Sequence, residues 1–391
     1  MTTKIRAAIR LATPAHEMAQ EEILKQVAYL SKEIADPCFD PGGTMLEFDA
    51  PTDSADALGR GVEELARRVQ RGLRGLQRRV AYRSSAAERP TFLGDGEVPG
   101  LHRLGPGQVA LEGLTLQLFR YFDRVFEEFG RAWDARPVLT PTLIPTGALA
   151  KCDYFRSFPN VVTFACHLPE DPARVEDFRA RHYDRQDLDD RALADLETPE
   201  ACLSPAVCYH VYHLNSGRVV PSGGLTYGVS GKCFRYESSN LSDLRRLWDF
   251  TMREVVFLGG REQVLALREQ SIERMGRFLE EHRLAGEIRT ASDPFFIAPE
   301  AVAKAYFQLS SETKFEISLM LPDDARLAVG SHNYHTDFFG RAFDVRLDDG
   351  GLMHSVCVAF GLERWVHAFL TQHGVDARRW PEVVRSAREF Q

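Results

Sequence analysis

The chain has 391 residues, of which 44% are hydrophobic and 27% charged. That is an ordinary soluble composition, with room for one large domain and a small one. No apolar run approaches the roughly 20 residues a bilayer span requires. The N-terminal stretch MTTKIRAAIRLATPAHEM lacks the apolar core and cleavage site of a secretory signal, so a cytoplasmic protein with no membrane partner is expected. Seven irregularly spaced cysteines do not make a disulfide framework, and a formal net charge of −8 argues against broad nucleic-acid binding.

The first 89 residues alternate strand and helix patterns. Ile5 to Leu11 reads as a strand, Ala15 to Lys32 as a helix, Met45 to Phe48 as a strand, Asp53 to Leu76 as a helix and Val80 to Tyr82 as a third strand. This β-α-β-α-β order predicts a small α/β-sandwich domain over residues 1–89. Its second helix opens a basic run, Arg67, Arg68, Arg71, Arg74, Arg78 and Arg79. Such a run is either a solvated face or a docking surface for an acidic partner.

Residues 90–108, rich in glycine and proline, read as a linker. From 109 to 391 the pattern is that of a larger α+β domain. Leu111 to Trp133 is an amphipathic helix, followed by the proline-punctuated strand Pro137 to Pro145, which the prolines confine to an edge or interface. A charged stretch near 168–200 reads as an exposed helical insertion. Leu203 to Phe257 is strand-rich, with a turn at Pro221-Ser-Gly-Gly224. A helix over Arg261 to His282 follows, then strands at Phe315 to Leu321 and Val356 to Phe360, and a closing helix from Leu362 to Gln372.

Three segments carry candidate chemistry: Cys233-Phe-Arg-Tyr-Glu237, Ser331-His-Asn-Tyr-His-Thr-Asp337 and Cys357-Val-Ala-Phe-Gly-Leu-Glu-Arg364. In an extended strand Arg235 and Glu237 share one face, which suits a plain salt bridge or a binding pair equally. In the last segment a glycine turns strand into helix and sets Arg364 in the first helical turn, near the positive end of the dipole. That is a poor place for a structural arginine and a good one for polyphosphate.

In their order, the proline-bearing strand after a long helix, the F-R-x-E segment and the G-L-E-R junction resemble the three motifs of class II aminoacyl-tRNA synthetases. Leu244 to Gly259 resembles the second motif 2 strand of seryl-type members. Ser157-Phe-Pro-Asn160, Leu203 to Tyr209, Cys233 to Ser238, Met252 to Gly259, Asp293-Pro-Phe-Phe296, Lys314-Phe-Glu316, Asn333 to Gly340 and Trp380 to Arg385 are similar to segments of the amino acid:[carrier protein] ligases, truncated homologues of the methanogenic-type seryl-tRNA synthetases. The likeness runs from about Leu111 to the C-terminus.

The resemblance implies an antiparallel sheet flanked by helices. It also implies a ligase that adenylates a small amino acid with ATP and loads it onto the phosphopantetheine thiol of an acyl or peptidyl carrier protein. The alternatives are transfer to tRNA and a non-catalytic synthetase paralogue; the small N-terminal domain and acidic charge speak against tRNA. It implies a catalytic zinc with an open position for the substrate's amino group, held by Cys166, Glu237 and Cys357, with Cys152 competing with Cys166. Arg235 would hold the α-phosphate and the substrate carboxylate, and Arg364 the γ-phosphate. Phe250 would stack on adenine, Glu254 and Glu316 would contact nucleotide or Mg²⁺, and Glu237 and Asn333 would meet the amino acid. The family pattern has a carboxylate near Ala328, so the magnesium geometry departs from it here. A rival metal set, Cys202, Cys208, His210 and His213, is disfavoured because in an alternating strand His213 points away from the others. The long helix and its proline strand imply a homodimer.

Overall fold

The computed structural model describes residues 4–94, 98–237, 241, 243–293 and 301–390, apart from the side chain of Ala28. Of the segments above, Ser238 and Pro294-Phe-Phe296 lie outside the described residues.

A small unit begins with strand β1 (Lys4–Arg10), helix α1 (Glu17–Leu30), strands β2 (Ala35–Phe39) and β3 (Met45–Pro51), and helix α2 (Ala55–Gly72). Its sheet runs β1-β3-β2, antiparallel throughout. Apolar residues at helical spacing on α2, Val62, Leu65, Ala66 and Val69, pack against Leu46 and Phe48 of β3 and Ile23 and Val27 of α1. The order is therefore β-α-β-β-α. The strand expected at Val80 to Tyr82 forms as β4 (Val80–Arg83), but it joins the large sheet. The sheet position left by it is taken by β2. An aspartate, a proline and a cysteine in a row within five residues, Ala35-Asp-Pro-Cys-Phe39, hide that strand from pattern reading.

The large sheet has eight strands. They are β4, β5 (Arg136–Leu139), β6 (Leu225–Phe234), β7 (Asp249–Gly259), β8 (Gly286–Thr290), β9 (Lys314–Met320), β10 (Arg326–Tyr334) and β11 (His354–Gly361). The spatial order is β4-β8-β9-β10-β11-β7-β6-β5. Every neighbouring pair is antiparallel except β6 with the proline-bearing β5, which is parallel and lies at the edge. The edge position fits Pro137, which has no N–H to give to a second neighbour.

Alternation along the central strands sends two sets of side chains to opposite faces. Val255, Phe257, Val356, Val358 and Phe360 meet helices α3 (Gly113–Arg131), α5 (Arg261–Glu281) and α7 (Leu362–His373) in the main core. Phe126 of α3 lies in its middle, stacked on Phe360 at 4.1 Å and 4.9 Å from Trp365. Val256, Leu258 and Cys357 face the other way, against helix α4 (Cys208–Leu214). That second face carries the candidate site. Helix α6 (Ala301–Ser310) adds Val302 and Leu309 to the core of the small unit.

The supposed linker contains a two-stranded hairpin, Leu101–Gly105 paired with Gln108–Leu111. In the charged stretch a helix, Pro172–His182, forms with none of its residues buried. Two of the six arginines in the run tie the segment after α2 to other elements: Arg78 pairs with Glu21 at 2.7 Å, and Arg79 pairs with Glu312. Arg67, Arg71 and Arg74 are exposed. Among the described residues, no helix is long and apolar enough to cross a membrane.

Candidate active site

Strand register builds the site. Across the sheet Arg289, Glu316, Ser331, Ala359 and Glu254 are successive register partners, so all five project from one face. The adjacent row on that face contains Lys314, Asn333, Cys357 and Val256. Glu254 and Cys357 are therefore diagonal neighbours on β7 and β11, a spacing that lets side chains meet.

Cys208, in the first turn of α4, completes a cluster. Its Sγ, a Glu254 carboxylate oxygen and the Cys357 Sγ all lie within 4.8 Å of one another, and all three residues are buried. Neither oxygen of Glu254 has a hydrogen-bond partner. Burial, then the neighbouring Cys357, pushes the Glu254 carboxyl well above the usual carboxylate range. The hydrogen bond between the thiols raises Cys208 and lowers Cys357, so the pair favours one thiolate, on Cys357. Three acidic groups this close in an interior cannot all ionise unless a cation joins them. Two thiolates and a carboxylate form a donor set suited to zinc with a position left open. Asn333 Nδ2 lies 3.4 Å from the Cys357 Sγ, and His335 Nε2 3.8 Å from it.

This cluster differs from the set expected from the sequence. Cys357 is in it, but Cys166 is exposed, and Glu237 pairs with Arg246 at 3.0 Å. Cys152 is buried in the apolar cluster on this face, where burial alone pushes its thiol up to about 12. Glu254, expected to touch nucleotide or Mg²⁺, stands between the two thiols instead. Cys208 was visible only within the rival set. Strand alternation disfavours that set, but Cys208 to Leu214 is a helix and Cys202 lies in the separate strand Ala201–Leu203; the cluster takes Cys208 without Cys202, His210 or His213. The useful signal for Glu254 was a carboxylate opening the apolar run Val255-Val256-Phe257-Leu258.

The arginines are held by the backbone. Arg235 follows the end of β6; its Nε donates to the Pro205 carbonyl at 2.9 Å, and its guanidinium lies 5.5 Å from the Phe250 ring centre. Phe250 is the register partner of Cys233. Arg364, in the first turn of α7, donates from Nε to the Arg245 carbonyl at 2.7 Å and from Nη1 to the Ala328 carbonyl at 3.0 Å. Thus Ala328 contributes its main chain where a carboxylate was expected. Next to Arg364, Glu363 accepts the Thr251 N–H at 2.9 Å and fixes the start of the helix on β7. Lys314 pairs with Asp293. Burial opposes ionisation of Asp293, but Lys314 overcomes it and holds the carboxyl down at about 2.

No family model matches the chain. Among characterised proteins it is 33% identical over 247 residues to amino acid–[acyl-carrier-protein] ligase 1 of Bradyrhizobium diazoefficiens, covering 63% of this chain and 74% of that one. The chain belongs to the amino acid–[acyl-carrier-protein] ligase family. It is also 28% identical over 276 residues to the type-2 serine–tRNA ligase of Methanopyrus kandleri, across 67% of this chain. It spans about half, 52%, of that relative's length. The expectation against tRNA therefore stands beside serine–tRNA ligases among the relatives. In fold, the chain matches the M. kandleri SerRS in the crystal structure of its complex with A. aeolicus tRNASec, with a TM-score of 0.68 at 20% identity, over 98% of this chain and 77% of that one. Class II synthetase architecture, α+β with a mainly antiparallel sheet, is the architecture found.

Proposed function

We propose that the chain activates a small amino acid with ATP and transfers it to the phosphopantetheine thiol of a carrier protein. The observation that carries this reading is the buried Cys208, Glu254 and Cys357 cluster on the same sheet face as Glu316 and Asn333. Zinc held by those three residues would supply an open coordination position for the amino group, selecting amino acids from other carboxylic acids.

The remaining residues position and stabilise. In the first half-reaction a carboxylate oxygen of the amino acid attacks the α-phosphorus. A new O–P bond forms, the bond to the bridging β-oxygen breaks, and pyrophosphate leaves. Arg235 is fixed through Pro205 so that its planar fork meets the α-phosphate and the attacking carboxylate. Arg364, anchored on two carbonyls, keeps its positive charge for the γ-phosphate. Phe250 stacks on adenine, and Asn333 lines the amino acid pocket beside Cys357. With Glu254 among the thiols, Glu316 is the carboxylate left to hold Mg²⁺. Glu237 orients Arg246 rather than a metal. In the second half-reaction the thiol sulfur attacks the acyl carbon, forming a thioester and releasing AMP. Fixed geometry and fixed charge supply most of the acceleration in such transfers.

Homodimer formation through α3 and β5 belongs to the same reading. It is supported by Leu139 at the end of edge strand β5, a residue 94% exposed, and by the exposed Leu143 nearby. Transfer to tRNA is the second reading, favoured by the serine–tRNA ligase relatives. One experiment separates the two. Pyrophosphate exchange is measured for each common amino acid, and then the cognate one is offered to holo carrier protein, apo carrier protein and tRNA. Acylation of the holo carrier alone supports the proposal. Exchange with no amino acid, or acylation of tRNA alone, overturns it.

A further inference from the structure

Helix α4 brings more than a ligand to the buried cluster. Cys208 and Tyr212 are four residues apart on it, so they share one face, and both are buried. The Tyr212 ring stacks on Phe339 of the short helix Phe338–Ala342, ring centres 3.9 Å apart. Its hydroxyl lies 3.1 Å from Nδ1 of His335, and the Ser355 hydroxyl lies 3.4 Å from the same nitrogen. The other ring nitrogen, Nε2, lies 3.8 Å from the Cys357 Sγ. His335 thus bridges Tyr212 and the thiol.

Backbone and packing fix that imidazole. The pairing of β10 with β11, Asn333 with Cys357 and Tyr334 with Val356, runs on one residue past the strand. There the His335 N–H donates to the Ser355 carbonyl at 2.9 Å. His335 therefore stands opposite Ser355, on the Cys357 face and diagonal to that thiol. Phe339 packs edge-on against the ring at 4.9 Å. The next residue, Thr336, turns the chain at φ 55°, a left-handed conformation that a β-branched residue rarely takes. Strain of this kind persists where the surroundings hold it, and it gathers at functional sites.

The contacts also set the direction of the bonds. A thiolate only accepts, so a neutral His335 facing it carries its proton on Nε2, and Nδ1 is left to accept from the Tyr212 hydroxyl. His335 stands outside the three mutually close ligand atoms of Cys208, Glu254 and Cys357. Two thiolates and a carboxylate bring three negative charges to one divalent ion. Donors on the Cys357 sulfur, His335 Nε2 and Asn333 Nδ2, spread that excess.

We infer that His335 is a positioning residue of the metal centre, donating its Nε2–H to the Cys357 thiolate and held in that tautomer by the Tyr212 hydroxyl. This rests on the zinc reading above. It gives α4 two parts in the site: Cys208 as a ligand, and Tyr212 as the anchor of the group that orients the opposite thiolate.

The test uses the full chain, stripped of metal and reloaded with Zn²⁺ or with Co²⁺ as its coloured substitute. His335→Ala weakens zinc about 10–100-fold, the scale for an outer partner of a metal ligand, measured by competition with a chromophoric chelator. It also moves the thiolate-to-cobalt charge-transfer band to longer wavelength, because a sulfur without its hydrogen bond gives up charge more easily. His335→Gln, whose amide nitrogen takes the place of Nε2, restores both. Tyr212→Phe moves the band the same way by a smaller amount. Unchanged zinc affinity or an unmoved band in His335→Ala overturns the inference. So does a glutamine variant as weak as the alanine one, which marks a ligand or a packing role. If circular dichroism shows His335→Ala unfolded, the band in Tyr212→Phe decides: moved supports the inference, unmoved overturns it. If the unsubstituted chain takes up neither ion, the inference falls together with the zinc reading; if it binds them and only the variant results fail, the zinc reading survives alone.

Discussion

Replacing Cys208 with alanine tests the site most directly, because the sequence alone pointed to Cys166 in its place. Cys208 is 5% exposed and its sulfur lies within 4.8 Å of both other ligand atoms. Removing one buried sulfur costs the fold about 1 kcal/mol in lost burial, which a chain of this size tolerates. The loss to a bound metal is larger. A four-ligand zinc site is worth about 10–16 kcal/mol, hence about 3 kcal/mol per ligand. At 1.4 kcal/mol per decade this weakens zinc about 100-fold. Zinc content of the purified protein and competition with a chromophoric chelator measure the affinity, and amino-acid-dependent pyrophosphate exchange measures the consequence. Cys166→Ala, altering an exposed thiol, leaves both unchanged. The reasoning is refuted if Cys208→Ala keeps full zinc with near-normal affinity, or if Cys166→Ala loses it.

Arg364→Ala lowers pyrophosphate exchange about 100-fold or more, the scale for removing one preorganised charge from a reacting group. A loss under threefold would remove Arg364 from the phosphate site. Phe126→Ala, which empties the stack between Phe360 and Trp365, destabilises the fold by about 3–5 kcal/mol; urea denaturation showing under 1 kcal/mol would contradict that packing. Acid lowers stability early. Burial holds His332 down at about 3 and His282 and His367 at about 4, against 6.5 for a free imidazole. These groups stay neutral when folded while the unfolded chain takes up protons below pH 6.5, so stability present above that value is lost as pH falls from about 6.5 to about 4. Urea midpoints across that window measure the slope. A flat profile would refute it, and His332→Gln, which keeps a polar group beside Ser271, should make the slope shallower.

The order of elements in the large domain was legible because its signals are local. Leu111 to Trp133, Arg261 to His282 and Leu362 to Gln372 have a helical repeat of apolar residues, and helices α3, α5 and α7 lie there. The glycine junction before Arg364 likewise declares a strand passing into a helix. Local pattern was weaker where a segment's fate depends on a distant partner. Val80 to Tyr82 reads as a strand whichever sheet receives it, and only pairing with β8 decides that it leaves the small unit. Cys208 to Leu214 has an alternating look, yet packing against Val256 and Cys357 makes it a helix.

The residue types needed for the site were thus determined by the sequence alone: two arginines flanking a synthetase-like sheet, and thiols and carboxylates enough for a metal. Which thiol and which carboxylate join Cys357 was decided only by the tertiary structure. Strand register sets Glu254 diagonal to Cys357, and the first turn of α4 drops Cys208 onto both. Ligand sets are relations between side chains in space, and a one-dimensional pattern fixes the face a residue occupies on its own element but not the element that will cover that face.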